Sequence, residues 1–365
     1  MGAPLWHPCP FGGARIMFKR LSLLAVALSL AVPVSGLGGG RAQAQGEEGF
    51  QSFLAGLRGR AEREGIGRYT LDSVLPTLSF NPRVISLDKA QPGTGTTTQS
   101  VSIGFAAYKR THVDAARIGR GHAKYVMLRP KLERIERETG VPEEIMLAIY
   151  GHETNYGGYT GNFDLLRSLA SLAYEGRRRE LFTTEFLATL KMVDRGVPRQ
   201  QLVGSWAGAT GYPQFLPSVY LKLARDGDGD GKADIWSSEP DALASIANYF
   251  VMAGWRAGVP WGVAATVPAS LNRGAIASKL AAPRCPKVFS RHSQWLSVAE
   301  WRRMGVLPQP GAARLRDAEM AALMEPDGAG TPAYLLTGNY RVILEYNCSN
   351  LYALSVGLLA DEIKR

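Results

Sequence analysis

The chain has 365 residues, of which 45% are hydrophobic and 20% charged, and its formal net charge is +10. This length and apolar content suffice for more than one domain with a packed core. The 41 glycines and 21 prolines are scattered, which excludes a collagen-like or wholly disordered chain. Beyond the N-terminal region no apolar run approaches the length of a membrane span, so none is predicted in the mature chain.

The first 44 residues have the pattern of a cleavable export signal. The basic pair Lys19 and Arg20 precedes an apolar segment that ends at Val34, and an Ala-Gln-Ala motif stands directly before Gln45. Met17 is an alternative start. No cysteine of the lipobox type follows the apolar segment. We therefore predict a periplasmic chain that begins near Gln45; an uncleaved membrane anchor is the alternative.

Removal of this segment changes the charge and the cysteine count. The segment holds four basic residues and no acidic one, so the mature chain carries a net charge of +6. It has no basic run interleaved with aromatic residues, which together with export predicts no nucleic-acid partner. Cys285 and Cys348 remain, and an oxidising compartment would let them form a disulfide; two free buried thiols are the alternative.

Hydrophobic spacing predicts a mainly helical chain. Apolar residues spaced three and four apart predict helices in these segments: 50–64, 114–138, 166–193, 241–253 and 350–363. Pro130 is expected to begin a new helix inside the second segment. Polar residues over 91–100 predict a surface loop. Short β-prone segments follow Trp255, and alternation predicts a further strand over 339–346.

Glu153 lies where the helical pattern would place an apolar residue. A helix begins near Pro142, and its apolar stripe of Ile145, Met146 and Ile149 continues onto Glu153 four residues later. Burial disfavours the charged form of a carboxyl group and raises its pKa. A carboxyl that is still protonated near neutral pH can protonate a leaving oxygen. The alternative is a core glutamate that an arginine or a backbone amide satisfies.

Two glycine-rich segments flank this candidate acid in the sequence. The run that begins at His152 partly matches the HExxH zinc motif, but Tyr156 occupies the position of the second histidine, so the pattern excludes a metalloprotease. Segments 156–163 and 204–215 combine aromatic rings with amides and hydroxyls. Such loops suit a sugar cleft, in which rings stack and amides bind hydroxyl groups; ordinary loop packing is the alternative.

Residues 226–231 have the spacing of an EF-hand loop. Asp226, Asp228 and Asp230 stand at positions 1, 3 and 5, and the carbonyl of Lys232 at position 7. Position 12 is a serine instead of the usual bidentate glutamate. We predict a structural Ca²⁺ ion here and no organic cofactor; an acidic turn without a metal is the alternative.

Four segments, at 141–157, 204–218, 226–255 and 345–354, resemble the lytic murein transglycosylase B family. The resemblance implies a mainly α fold with a small β module and a lysozyme-like α core. It also implies that the substrate is the glycan strand of peptidoglycan. The family cleaves the β-1,4 bond between N-acetylmuramic acid and N-acetylglucosamine and leaves a 1,6-anhydromuramoyl end. Protein partners are not predicted.

The resemblance assigns roles to individual residues. Glu153 takes the position of the family's single catalytic glutamate. Seven positions would contact the sugar: Tyr108, Ser205, Gln214, Tyr249, Tyr346, Asn347 and Tyr352. Arg177 and Arg178 would contact the stem peptide, and a solvated helix face is the alternative for both. Asp241 is the match for the carboxylate that closes the metal loop, with Glu239 as a rival.

The resulting prediction is an enzyme with five segments along the chain. They are a signal region over 1–44, an N-terminal helical part over 45–125, a lysozyme-like catalytic core over 126–256, a small α/β module over 257–338, and a strand and helix over 339–365 that return to the core. Two other functions stay open: a muramidase that adds water, and a peptidoglycan-binding protein without catalysis.

Overall fold

The structure is a computed structural model that describes residues 39–91, 104–278 and 286–365. The predicted signal region before residue 39, nearly all of the predicted loop at 91–100, and Cys285 lie outside the described residues. Within the described part, no helix combines the length and the hydropathy that a membrane crossing requires.

Helices dominate the described chain, and their bounds in chain order are α1 Gly39–Arg63, α2 Arg68–Val74, α3 Pro82–Lys89, α4 Phe105–His112, α5 Ala115–Thr139, α6 Glu143–Thr154, α7 Leu165–Glu175, α8 Arg179–Asp194, α9 Pro217–Leu223, α10 Glu239–Met252, α11 Pro286–Phe289, α12 Val298–Arg303, α13 Gly338–Tyr346 and α14 Asn350–Ile363. The strands are β1 Phe163–Asp164, β2 Val203–Gly204, β3 Gly262–Thr266, β4 Trp295–Ser297, β5 Leu307–Pro308, β6 Met320–Met324 and β7 Ala333–Leu336. The predicted mainly α class with a small sheet is confirmed.

The chain divides into two compact units, a helical unit and a sheet unit. The helical unit takes in the described residues up to 91 and residues 153–245. The sheet unit takes in the described residues of 104–152 and 246–365. The division falls within two helices, after His152 in α6 and after Ser245 in α10.

Helices α7 and α8 form the centre of the helical unit. Asp164 begins α7 by accepting a hydrogen bond from the Arg167 amide, and Gly176 ends it at a φ of +97°, which glycine adopts without strain. Eight of the nine residues from Leu165 to Ala173 are buried, so α7 contacts its neighbours on nearly every side. Phe50 on α1 and Phe186 on α8 are fully buried in the same core.

An antiparallel five-stranded sheet organises the second unit, in the order β4-β6-β7-β3-β5. Trp301 on α12 is fully buried against this sheet, and its indole nitrogen donates to the Ala321 carbonyl at 2.9 Å. Ser297 and Glu300 form a capping box that fixes the start of α12. The β-prone segments predicted after Trp255 are therefore present as β3 and β7.

Two predictions about secondary structure were wrong. Pro130 lies inside the continuous helix α5 and does not begin a new one. It lies on an exposed face, where water can bond the carbonyl that lacks its amide partner. The predicted strand over 339–346 is helix α13. The Thr337 hydroxyl caps this helix on the amide of Asn339, and burial of Tyr340 and its neighbours on several sides outweighs the alternating pattern.

Candidate functional site

Glu153 lies in the last turn of α6 and is half-buried. Glu153 is therefore not fully enclosed, as a core glutamate without a catalytic role would be. Thr154 follows it and is buried, and its hydroxyl accepts the Gly157 amide at 3.0 Å. The Thr154 carbonyl accepts the amide of Tyr159 at 3.1 Å. These bonds fold the chain into a tight turn directly after the carboxylate and fix the end of the helix.

Three residues other than glycine have a left-handed backbone within the described chain; two lie in the predicted sugar loops, and the third directly precedes the first loop. Asn155 and Tyr156 follow the candidate acid with φ of 54° and 58°, and Gln214 has φ of 53°. This conformation costs roughly 1 kcal/mol for a residue with a Cβ atom. Strain of this kind persists where the surrounding contacts hold the backbone in place, and it is concentrated at functional sites.

The two loops are joined to each other. Phe163 pairs with Gly204 in the two-stranded β1–β2 ladder. The side-chain amide of Gln214 donates to the Thr160 carbonyl at 3.1 Å and to the Gly211 carbonyl at 2.9 Å. Gln214 is thus fixed by both loops, which the sequence could not show because the residues are 54 positions apart.

Ser205 lies in a short turn that its own atoms organise. Its amide donates to the Ala209 carbonyl at 2.7 Å, and its hydroxyl oxygen accepts the Ala209 amide at 3.0 Å. Because that oxygen accepts from the backbone, the hydroxyl proton points elsewhere and can serve as a donor. Thr210 bonds the Val203 carbonyl at 2.7 Å and closes the turn.

The sheet unit brings all four of its predicted tyrosines into aromatic contacts. The rings of Tyr249 and Tyr346 meet edge to face at 4.8 Å, and the Tyr249 hydroxyl donates to the Glu345 carbonyl at 2.8 Å. Asn347 caps the end of α13 next to Tyr346. Tyr352 lies edge-on to the His152 ring at 5.5 Å.

Tyr108, the fourth, lies flat on the imidazole of His112, with ring centres 3.7 Å apart and planes 5° apart. His112 also lies 6.0 Å from the ring of His152, which in turn contacts Tyr352. His152 bonds the Ser355 hydroxyl at 2.7 Å, and burial lowers its pKa well below the usual value, so the ring is neutral. These two histidines thus connect Tyr108 with Tyr352, a role that sequence spacing did not reveal.

Arg177 and Arg178 share one buried carboxylate. Asp88 on α3 is 1% exposed; it accepts the Arg177 Nε at 2.6 Å and pairs with the Arg178 guanidinium. Arg178 also lies over the Phe182 ring at 4.7 Å. The two arginines therefore form ion pairs with one buried carboxylate, and no local pattern in the sequence pointed to Asp88 as their partner.

The carboxylates of Asp226, Asp228 and Asp230 come together, with one oxygen of each within 4.8 Å of the others. The loop turns around them: Asp226 accepts the amides of Gly229 and Gly231 at 2.6 and 2.7 Å. These bonds lower the pKa of Asp226, so it is a carboxylate at neutral pH. Three hard oxygen donors on such a loop are the ligand type that Ca²⁺ prefers.

Asp241 is not part of this cluster of three carboxylates. It is 1% exposed, and its two oxygens accept the amides of Gly227, Asp228 and Asp234 at 2.8, 3.2 and 2.7 Å. The Asp241 carboxylate therefore stabilises the loop by accepting hydrogen bonds from the backbone amides of the loop. Neither Asp241 nor its rival Glu239 belongs to the group of carboxylates that could share an ion.

Glu185 was missed by the sequence analysis. It is 2% exposed on α8, and it accepts the Ser218 amide at 2.9 Å and the Ser218 hydroxyl at 2.7 Å. It therefore holds the start of α9, directly after the loop that carries Gln214. Its position beside Phe182 and Phe186 on the apolar stripe of α8 is the signal that could have identified it.

Cys348 is disulfide-bonded.

Comparisons with known proteins place this arrangement in a family. A model described as a transglycosylase SLT domain matches residues 49–361. The chain is 30% identical over 306 residues to the membrane-bound lytic murein transglycosylase B of Escherichia coli K12, covering 82% of this chain and 79% of that protein.

Solved structures agree with that assignment. SltB3 from Pseudomonas aeruginosa, in complex with NAG-anhNAM-pentapeptide, has a TM-score of 0.75 and 37% identity, covering 86% of this chain and 79% of its own. The Escherichia coli lytic transglycosylase Slt35 in complex with calcium has a TM-score of 0.67 and 27% identity, covering 87% and 93%. These matches define the lysozyme-like fold of the lytic transglycosylases and confirm the predicted fold. The chain belongs to the SLT-domain transglycosylase family.

Proposed function

We propose that this protein cleaves the β-1,4 bond between N-acetylmuramic acid and N-acetylglucosamine in peptidoglycan and forms a 1,6-anhydromuramoyl product. The observation that carries the proposal is the position of Glu153, half-buried at the end of α6 and held by a strained turn. Support comes from the family and from the relative that binds a fragment with an anhydromuramoyl group.

A single carboxyl group suffices for this reaction. Ordinary glycosidases need two carboxylates because water or the enzyme supplies the nucleophile. Here Glu153 donates its proton to the glycosidic oxygen, the bond between C1 and that oxygen breaks, and the acetamido group of the substrate stabilises the cationic C1. The Glu153 carboxylate then takes the proton of the muramoyl O6, which attacks C1. No water is consumed.

The sugar contacts follow from the donors that each loop offers. The Ser205 hydroxyl can donate to an acetamido or ring oxygen, and the Gln214 carbonyl oxygen can accept from a sugar hydroxyl because its nitrogen is committed to the backbone. The remaining proposed contacts are Tyr108, Tyr249, Tyr346, Asn347 and Tyr352. The side chain of Arg177 is 31% exposed, and we propose that Arg177 and Arg178 contact the stem peptide.

We also propose that Ca²⁺ binds at Asp226, Asp228, Asp230 and the Lys232 carbonyl and stabilises the loop. The ion would neutralise three clustered carboxylates, while Asp241 orients the backbone from the buried side. We further propose that the protein is exported to the periplasm and that Cys285 and Cys348 form a disulfide there.

The decisive experiment digests purified sacculi and measures the released muropeptides by mass spectrometry. The transglycosylase product is one water lighter than the hydrolytic product, which separates this proposal from a muramidase. Glu153→Gln is expected to abolish lysis and to leave binding to sacculi nearly intact. Glu180→Gln, which changes an exposed carboxylate, is the matched control and is expected to keep full activity. Lysis by Glu153→Gln, or a hydrated product, would contradict the proposal.

A further inference from the structure

Helix α5 exposes two large apolar side chains to solvent. Val126 is 62% exposed and Met127 66%, and the exposed residues Ala123 and Pro130 lie on the same outward strip at 100° per residue. Burial of the opposite face, which includes Leu132, fixes this orientation. The strip is therefore exposed to solvent in the folded sheet unit.

The charge around this strip is mainly positive. Residues 115–132 contain five basic residues and no acidic one. On the helical wheel Arg120 and Lys131 flank Met127 on one side, and Arg129 flanks Val126 on the other. Arg129 forms an ion pair with Glu133 at 2.9 Å and lies over the Tyr125 ring, which keeps its guanidinium beside the strip.

An apolar strip with a mainly basic border, strongest along the edge of Arg120 and Lys131, matches the boundary of an anionic bilayer. The apolar side chains enter between the headgroups, while lysine and arginine contact the phosphates at the level of the strip edges. A purely electrostatic partner such as a carboxylate-bearing polymer would give no role to Val126 and Met127. We propose that this face of α5 binds the surface of a membrane of anionic phospholipid. The proposal does not depend on the catalytic function.

The test measures co-sedimentation of the mature chain with large vesicles. We expect binding to vesicles of equal phosphatidylglycerol and phosphatidylcholine, and little to phosphatidylcholine alone. Binding should weaken at high salt. The variant Arg120→Gln/Lys131→Gln is expected to bind roughly thirtyfold more weakly, because each basic residue near the surface contributes separately. Val126→Gln/Met127→Gln keeps every charge and is expected to lose at least half of the bound fraction.

The chain offers a matched control on α2 of the other unit. Arg68 and Tyr69 are an adjacent basic and aromatic pair, with an 84% exposed Arg68 side chain and an 85% exposed Tyr69, and Arg68→Gln/Tyr69→Gln is expected to bind as the wild type does. The proposal is overturned if the wild type does not bind anionic vesicles, or if it binds neutral ones equally. It is also overturned if the Val126→Gln/Met127→Gln variant binds normally, or if the charge variant loses binding to sacculi instead of vesicles.

Discussion

Acid pH should destabilise the fold through one buried histidine. His292 is 4% exposed, and burial lowers its pKa to about 4 from the usual 6.5. Its Nε2 bonds the Asn350 side-chain oxygen at 2.7 Å, and Tyr340 donates to the same oxygen at 3.1 Å. The neutral ring therefore fits this site. A charged ring would lie near the like charges of Arg341 and Arg291, which also lower the pKa.

The sign of the pH dependence follows from proton binding in the two states. Below about pH 6.5 the unfolded chain takes up a proton on His292, whereas the folded chain does not do so until about pH 4. The contribution of the neutral His292 ring to the stability of the folded chain is fully present above pH 6.5 and is lost as the pH falls towards 4. This difference between the pKa of His292 in the unfolded chain and in the folded chain corresponds to roughly 3 kcal/mol of unfolding free energy.

The assay is urea unfolding of the wild type and of His292→Gln at pH 7.5, 6, 5 and 4. Glutamine can still donate to Asn350, but it does not titrate. The difference in unfolding free energy between the two proteins should shrink by roughly 3 kcal/mol from pH 7.5 to pH 4. His122→Gln changes an exposed imidazole and should leave the wild-type profile unchanged. A difference that stays constant with pH would refute the reasoning.

Three further predictions concern the loops of the helical unit. Replacing Glu185 by alanine leaves the Ser218 amide without its buried acceptor and should cost about 2 kcal/mol in urea unfolding; an unchanged midpoint would contradict the role of this carboxylate. Chelation of Ca²⁺ should lower the melting temperature of the wild type but not of Asp226→Asn, whereas an equal drop in both would argue against this loop. Gly161 has a φ of +95°, and the Cβ atom of Gly161→Ala would lie 2.2 Å from the Gly204 carbonyl carbon. Because the backbone must shift to avoid this clash, the variant should show less muropeptide release and a lower melting temperature. Normal activity would contradict the importance of this close approach.

Local sequence was a good guide to the helices and to the candidate acid. The apolar stripe that leads to Glu153 depends only on neighbours along one helix, and the cluster of three carboxylates depends only on the spacing of a short loop. Where long-range packing outweighed local preference, the predictions failed. Thr337 caps a helix where alternation suggested a strand, and α5 continues through Pro130 because that face is exposed.

Contacts between distant residues decided the rest. Asp88 binds Arg177 from 89 positions away, and Gln214 is fixed by Thr160 from 54 positions away. Asp241 has the right residue type for a metal ligand, yet its oxygens are occupied by backbone amides. The sequence determined which chemical groups are available and which local turns can form. Only the tertiary structure decided their partners, because a buried polar group is assigned by whichever donors the folded chain brings within hydrogen-bonding distance.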